Sequence, residues 1–147
     1  MSDLHKKPSN HQNRSNQNQN NQQPQIPLPQ IVLDYKKDKE LLNQTAEKTA
    51  NAISKMTSNQ IRNFYDYVLN LNERANSEDF DEILPFVKML NSKVAYSKGK
   101  GNADQNFVQM IKKCIEQVNT KDDLNVFKLF FEAVLGFYKN KEKEKER

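Results

Sequence analysis

Histidine is missing from all but the first eleven residues of this 147-residue chain, tryptophan is absent, cysteine occurs once and glycine three times. Each shortage excludes something. A lone cysteine, Cys114, forbids an internal disulfide, which fits a reducing, cytosolic setting. The chain has no apolar run as long as a signal-peptide core or a membrane span, so no membrane partner is expected. With only Gly99, Gly101 and Gly136, there is no Gly-rich phosphate loop opening a helix. Gly99-Lys100-Gly101 lacks both the length and the Lys-Ser/Thr ending of a nucleotide loop. His5 and His11 are the only histidines, and they sit far from Cys114, so neither a metal set nor an activated thiol is expected.

Apolar residues make up 35% of the chain, below the usual globular level, and the deficit is concentrated at one end. Residues 1–33 are dominated by Asn and Gln and include Pro24, Pro27 and Pro29. Such a segment buries too little apolar surface to offset its conformational entropy, so it is predicted to be a disordered tail. The domain proper is placed at 34–138. The closing Lys/Glu-rich stretch, 139–147, is read as a charged, flexible tail. Of the formal charge of +4, the two tails hold nearly all. The core is about neutral, and any polyanion site on it must be a local patch.

From Asp34 onward the apolar spacing is helical throughout, and the fold class is all-α, a compact bundle of about five helices. Leu41, Leu42, Ala46, Thr49, Ala50 and Ile53 predict a first helix over 38–55. Thr57 and Gln60 form a capping box before a second helix over 58–74, with Ile61, Phe64, Tyr65, Val68 and Leu71 on its core side. Ser77 is expected to cap the third. There Glu78, Asp79, Asp81 and Glu82 complement the positive end of the helix dipole, so the acidic cluster needs no metal to explain it. Phe80, Leu84, Val87, Leu90 and Val94 give this helix its core stripe, Pro85 is expected to kink or restart it, and it should end near Ser97. A fourth helix covers 106–118, with Cys114 among its core residues. A second capping box, Thr120 with Asp123, opens a fifth helix that runs to about Tyr138. Its apolar arc of Phe127, Phe130, Phe131, Val134 and Tyr138 is wide for a single core stripe. Part of it is therefore expected to be buried by another subunit.

The third helix also carries chemistry. Lys88, Lys93, Lys98 and Lys100 fall off the apolar stripe, Tyr96 stands among them, and Arg62 on the second helix is expected to approach them if the two helices run antiparallel. A basic strip with an aromatic ring can follow phosphates and stack a base. The residues alone leave two readings open, an RNA-binding scaffold subunit and a helical adaptor that binds only protein.

Three blocks in order, QIRNFYDYV (60–68), LPFVKMLNSKVAYSKGK (84–100) and FFEAVLGFYK (130–139), resemble the small subunit of type III-A CRISPR effector complexes, the Csm complex subunit two. The resemblance implies a small helical bundle without catalytic activity or cofactor, acting in antiviral defence. Copies would stack along a filament, pack against the backbone and large subunits, and line the groove where target RNA pairs with guide RNA. RNA cleavage, DNA cleavage and cyclic oligoadenylate synthesis would belong to other subunits. Carried over, Arg62, Lys88, Lys93, Lys98 and Lys100 would face RNA. Glu132 and the aromatic positions around it would pack between helices or subunits. Lys100 stands where family members often have Arg, and it offers a point charge in place of a bidentate fork.

Two outcomes follow. Removing residues 1–30 should leave the thermal midpoint nearly unchanged. The purified chain with Mg²⁺ or Mn²⁺ should cut neither RNA nor DNA; metal-dependent cleavage lost on substituting Glu78, Asp79, Asp81 or Glu82 would contradict this.

Overall fold

The chain is described from a computed structural model over residues 26–145. The Asn/Gln-rich head through Gln25 and both histidines lie outside the described residues. A π-helical turn, Leu41–Thr45, leads directly into α1 (Ala46–Ala52). Four further helices follow: α2 (Ser58–Arg74), α3 (Phe80–Gly99), α4 (Gln105–Ile115) and α5 (Lys121–Lys145). No strand occurs among the described residues, as the spacing predicts.

The centre of the molecule is α5. It packs against α1 and α2, while α3 packs against α4 and α2. Phe131 meets Tyr65 of α2, Phe107 of α4 and Phe127 edge-on, with ring centroids 5.7–6.0 Å apart. Phe64 adds a tilted contact to Phe107. Edge contacts of this kind set electropositive ring edges against electronegative faces, and each adds about 0.5–1.5 kcal/mol beyond burial. Phe127, Phe130, Phe131, Val134 and Tyr138 are all buried within the single chain, at 0–5% exposure. The expectation that part of this arc faces a neighbouring subunit is therefore corrected. The helix is contacted on several sides, so it uses a wider arc than one stripe. Glu132 is exposed and pairs with Lys128 at 3.6 Å on the same helix.

Helix starts follow the sequence closely. Thr57 Oγ1 accepts from the Gln60 amide at 3.1 Å, and Gln60 Oε1 accepts from the Thr57 amide at 2.9 Å. Thr120 and Asp123 make the equivalent exchange, at 3.1 Å each way. For α3, Asp79 rather than Ser77 is the cap, accepting from the Asp81 amide at 3.1 Å. Arg74 donates to Glu78 at 2.7 Å across the intervening turn. Pro85 does not interrupt α3. The carbonyl its missing N–H would leave free lies on the exposed side, where water can satisfy it.

Three boundaries differ from the sequence reading. The first helix opens as a π turn: Thr45 Oγ1 donates to Asp38 at 2.7 Å and the Thr45 amide reaches the Glu40 carbonyl at 3.0 Å. That wider turn buries Leu41 and leaves Leu42 exposed. The folded unit also starts before residue 34. Ile31 and Leu33 belong to the core, and Gln117, in the turn that follows α4, holds the strap between them. Its side chain accepts from the Leu33 amide and donates to the Ile31 carbonyl, both at 2.9 Å. Asn106 likewise donates to the Ile26 and Ala52 carbonyls at 2.8 Å. A deletion through residue 30 therefore removes part of a docked segment, and the unchanged thermal midpoint expected from the sequence gives way to a lowered one. At the other end α5 continues to Lys145. Glu142 accepts from the Ser58 amide and hydroxyl at 2.8 Å, and Lys141 donates to the Ile53 carbonyl at 2.9 Å. The stretch read as a flexible tail thus satisfies the facing ends of α1 and α2.

Cys114 is fully buried, and desolvation raises its thiol well above the ordinary range. It stays protonated and packs as a small apolar side chain.

Leu33→Ala should cost about 2–5 kcal/mol in urea unfolding, the usual range for a buried leucine; an unchanged midpoint would show the strap to be undocked. Ending the chain after Tyr138 should cost about 2–4 kcal/mol, because charge-assisted bonds to two helix ends are lost. A truncated chain as stable as the full one would restore the flexible-tail reading.

Candidate nucleic-acid interface

Two stripes run along α3, each at alternating three- and four-residue steps. Ile83, Val87, Leu90 and Val94 form the buried one. Phe86, Met89, Lys93, Tyr96 and Lys100 form the second, which stays in solvent. Phe86 and Met89 are each 45% exposed and Tyr96 is 66% exposed. Such spacing keeps side chains on one face of a helix.

From α2, Tyr67 and Arg74 reach the edge of this outer stripe. The Tyr67 hydroxyl donates to the Phe86 carbonyl at 2.7 Å, which fixes its ring beside α3. The Lys93 ammonium lies 5.2 Å from the Tyr67 ring centre, the Arg74 guanidinium 5.6 Å from that of Phe86, and the Lys100 ammonium 4.6 Å from that of Tyr96. Each distance falls within the reach of cation–π attraction. Burial raises the Tyr67 phenol above its ordinary value, so it remains a hydrogen-bond donor at neutral pH. Tyr67 meets Lys93 while Arg74, further along α2, meets Phe86, earlier on α3, so the two helices run antiparallel.

The end of α3 is built to hold Lys100. Gly101 takes φ +78, the Asn102 amide returns to the Ser97 carbonyl at 2.9 Å, and the Gly101 amide to the Lys98 carbonyl at 2.9 Å. This left-handed closure suits glycine and satisfies the last carbonyls of the helix. It leaves Lys100 as the final helical cap, over Tyr96.

Not all of the sequence-predicted residues meet on this face. Lys93, Tyr96 and Lys100 share it. Lys88 and Lys98 are turned from its centre by more than about 100° at the helical repeat, and Lys98 is occupied by the Gln105 side chain. Arg62 does not converge on the strip. Five residues leave it about 140° around α2 from Tyr67, on the flank of Tyr65, which faces α5. The Tyr65 phenol is raised first by burial and next by Glu132, with Arg62 acting in the opposite direction. Phe86, Met89, Tyr67 and Arg74 were missed by the sequence reading. The signal was present in the spacing of Phe86, Met89 and Tyr96, but a single buried stripe was assumed to account for the apolar residues of α3.

Lys93 and Lys100 have no carboxylate partner: the ion pairs among the described residues are Arg74–Glu78 and Lys128–Glu132. The face therefore offers unneutralised cations and accessible rings. Among the described residues no group of His, Cys, Asp or Glu is arranged to hold a metal ion, and no helix is long and apolar enough to cross a membrane.

No curated protein and no solved structure matches the chain. A family model does: Csm2 Type III-A, over residues 36–144. The match spans the bundle from the turn before the π segment almost to the end of α5, so the chain belongs to the Csm2 family, the small subunit of the type III-A CRISPR complex.

Proposed function

We propose that this subunit of the Csm complex is a non-catalytic RNA-binding scaffold. It lines the groove that receives target RNA and stabilises guide–target pairing through contacts to the RNA backbone. The observation that carries this reading is the row of Lys93, Tyr96 and Lys100 on one exposed face of α3, its cations free of carboxylates. A phosphate brought there displaces only water from the ammonium groups and breaks no ion pair. The contact is sequence-independent, as a groove that accepts any target requires. Arg62, Lys88 and Lys98 lie off this row and would make outlying contacts.

The subunit works in the cytoplasm beside guide and target RNA, packed against the backbone and large subunits and against further copies of itself along the filament. With the aromatic arc of α5 buried, that self-association falls to other exposed apolar side chains, Tyr35 and Leu42 among them. Cleavage chemistry belongs to other subunits.

Two measurements test this. RNA co-purifying with a tagged copy from its native host should be guide-length with repeat-derived ends; absence of such RNA would favour a protein-only adaptor. In the assembled complex, Lys93→Ala with Lys100→Ala should weaken target RNA similarly across sequences. It should lower the salt slope by roughly 0.7 per lost contact, the single-strand value. Arg62→Ala, Lys88→Ala and Lys98→Ala should each do less. Unchanged affinity and slope for the Lys93/Lys100 double variant would remove the α3 row from the RNA path.

A further inference from the structure

Backbone contacts to RNA need cations and no rings, yet the α3 row alternates the two. Phe86, Met89 and Tyr96 expose three large apolar side chains on one helix face, while Ile83, Val87, Leu90 and Val94 already satisfy the core on the other stripe. Each accessible ring also has a cation beside it: Arg74 at Phe86 and Lys100 at Tyr96, with Lys93 over the neighbouring Tyr67. The Tyr67 hydroxyl bond and the Gly101 closure fix the two ends of this arrangement before any ligand arrives.

We infer that this face is a stacking platform for unpaired RNA bases, with Tyr96 and Phe86 as the two stacking positions and Met89 as the apolar floor between them. The inference rests on the RNA-binding reading above and adds the chemical class that the rings select: single-stranded nucleotides with their bases exposed, as in a target strand before it pairs with the guide, whereas a paired strand keeps the backbone contacts to Lys93 and Lys100. The physical reason is that a paired duplex presents mainly phosphates and riboses to a flat helix face, which leaves the rings in water. An unpaired base covers a ring on one side while a cation stays beside it, and its phosphate reaches Lys93 or Lys100. Tyr96 and Phe86 lie ten residues apart, about 15 Å along the helix, so separate nucleotides of one strand would occupy them. Charge favours an anionic strand over an apolar or basic protein segment here, because Lys93 and Lys100 have no carboxylate partner, and the alternation of cations with rings suits a chain that alternates phosphates with bases.

The test uses the full-length chain with three probes: an unstructured RNA strand, the same strand carrying abasic residues, and a blunt duplex of equal length. The unstructured strand should bind tightest. Tyr96→Ala and Phe86→Ala should each weaken it about 5- to 150-fold, the range for loss of one stacked base, without changing the salt slope. Tyr96→Phe should retain binding, since the ring and not the hydroxyl is used. Thermal unfolding of each variant checks folding, which exposed side chains should leave intact.

Equal affinity for intact and abasic strands would overturn the platform while leaving the phosphate-contact reading in place. So would full affinity in the alanine variants alongside weakened Lys93→Ala. If Phe86→Ala and Met89→Ala instead block incorporation into the complex with RNA affinity unchanged, the face is a protein interface and the inference fails. Absence of RNA binding by the wild-type chain, alone and in the assembled complex, would overturn both readings together.

Discussion

Burial of the aromatic side of α5 is the constraint on which the other elements depend. Phe127, Phe130 and Phe131 are almost wholly removed from solvent, and each contributes roughly 1.5–3 kcal/mol through burial alone. Because rings meet edge-on, their partners must come at set angles: Tyr65 from α2 and Phe107 from α4. Those contacts place α2 along α5, and α2 in turn presents Tyr67 to α3. The position of the α3 row in space thus follows, two steps removed, from how the phenylalanines of α5 interlock.

The same helix also closes the ends of its neighbours. Three residues of α5, Tyr138, Lys141 and Glu142, supply hydrogen bonds to the Met56 carbonyl, the Ile53 carbonyl and the Ser58 amide. These groups flank the turn between α1 and α2. A helix end buried without partners is costly, and among the described residues no buried side-chain polar atom is left unpaired. Burial lowers the Lys141 ammonium from its ordinary value, with nearby Lys145 adding to the effect. Part of its charge is thus desolvated for the sake of the carbonyls it satisfies.

On α3, two stripes divide the work of a single element. The buried stripe holds the helix to the bundle. The outer stripe contributes less to folding, because Tyr96 lies largely in water, Phe86 and Met89 are about half covered, and its lysines lack carboxylate partners. Substitutions on a face of that kind carry small consequences for stability, because the core lies on the other stripe.

Local chemistry determined much of this protein from sequence alone. The all-α class, the capping boxes at Thr57–Gln60 and Thr120–Asp123, the core side of α4 and α5 and the burial of Cys114 all depend on neighbours within a turn or two, so the order of residues carries them. Exposure of Lys93, Tyr96 and Lys100 was legible for the same reason. Tertiary structure decided the rest. Gln117 reaching back to Leu33, and Glu142 to Ser58, join residues more than eighty positions apart, and no spacing rule registers such contacts. Whether Phe130 and Phe131 meet another helix or another subunit depends on how many elements surround α5, and the bundle supplies them internally. Arg62 and Lys93 share a charge sign, but the rotation of α2 about its axis, set by what Tyr65 and Tyr67 each contact, sends them to different faces.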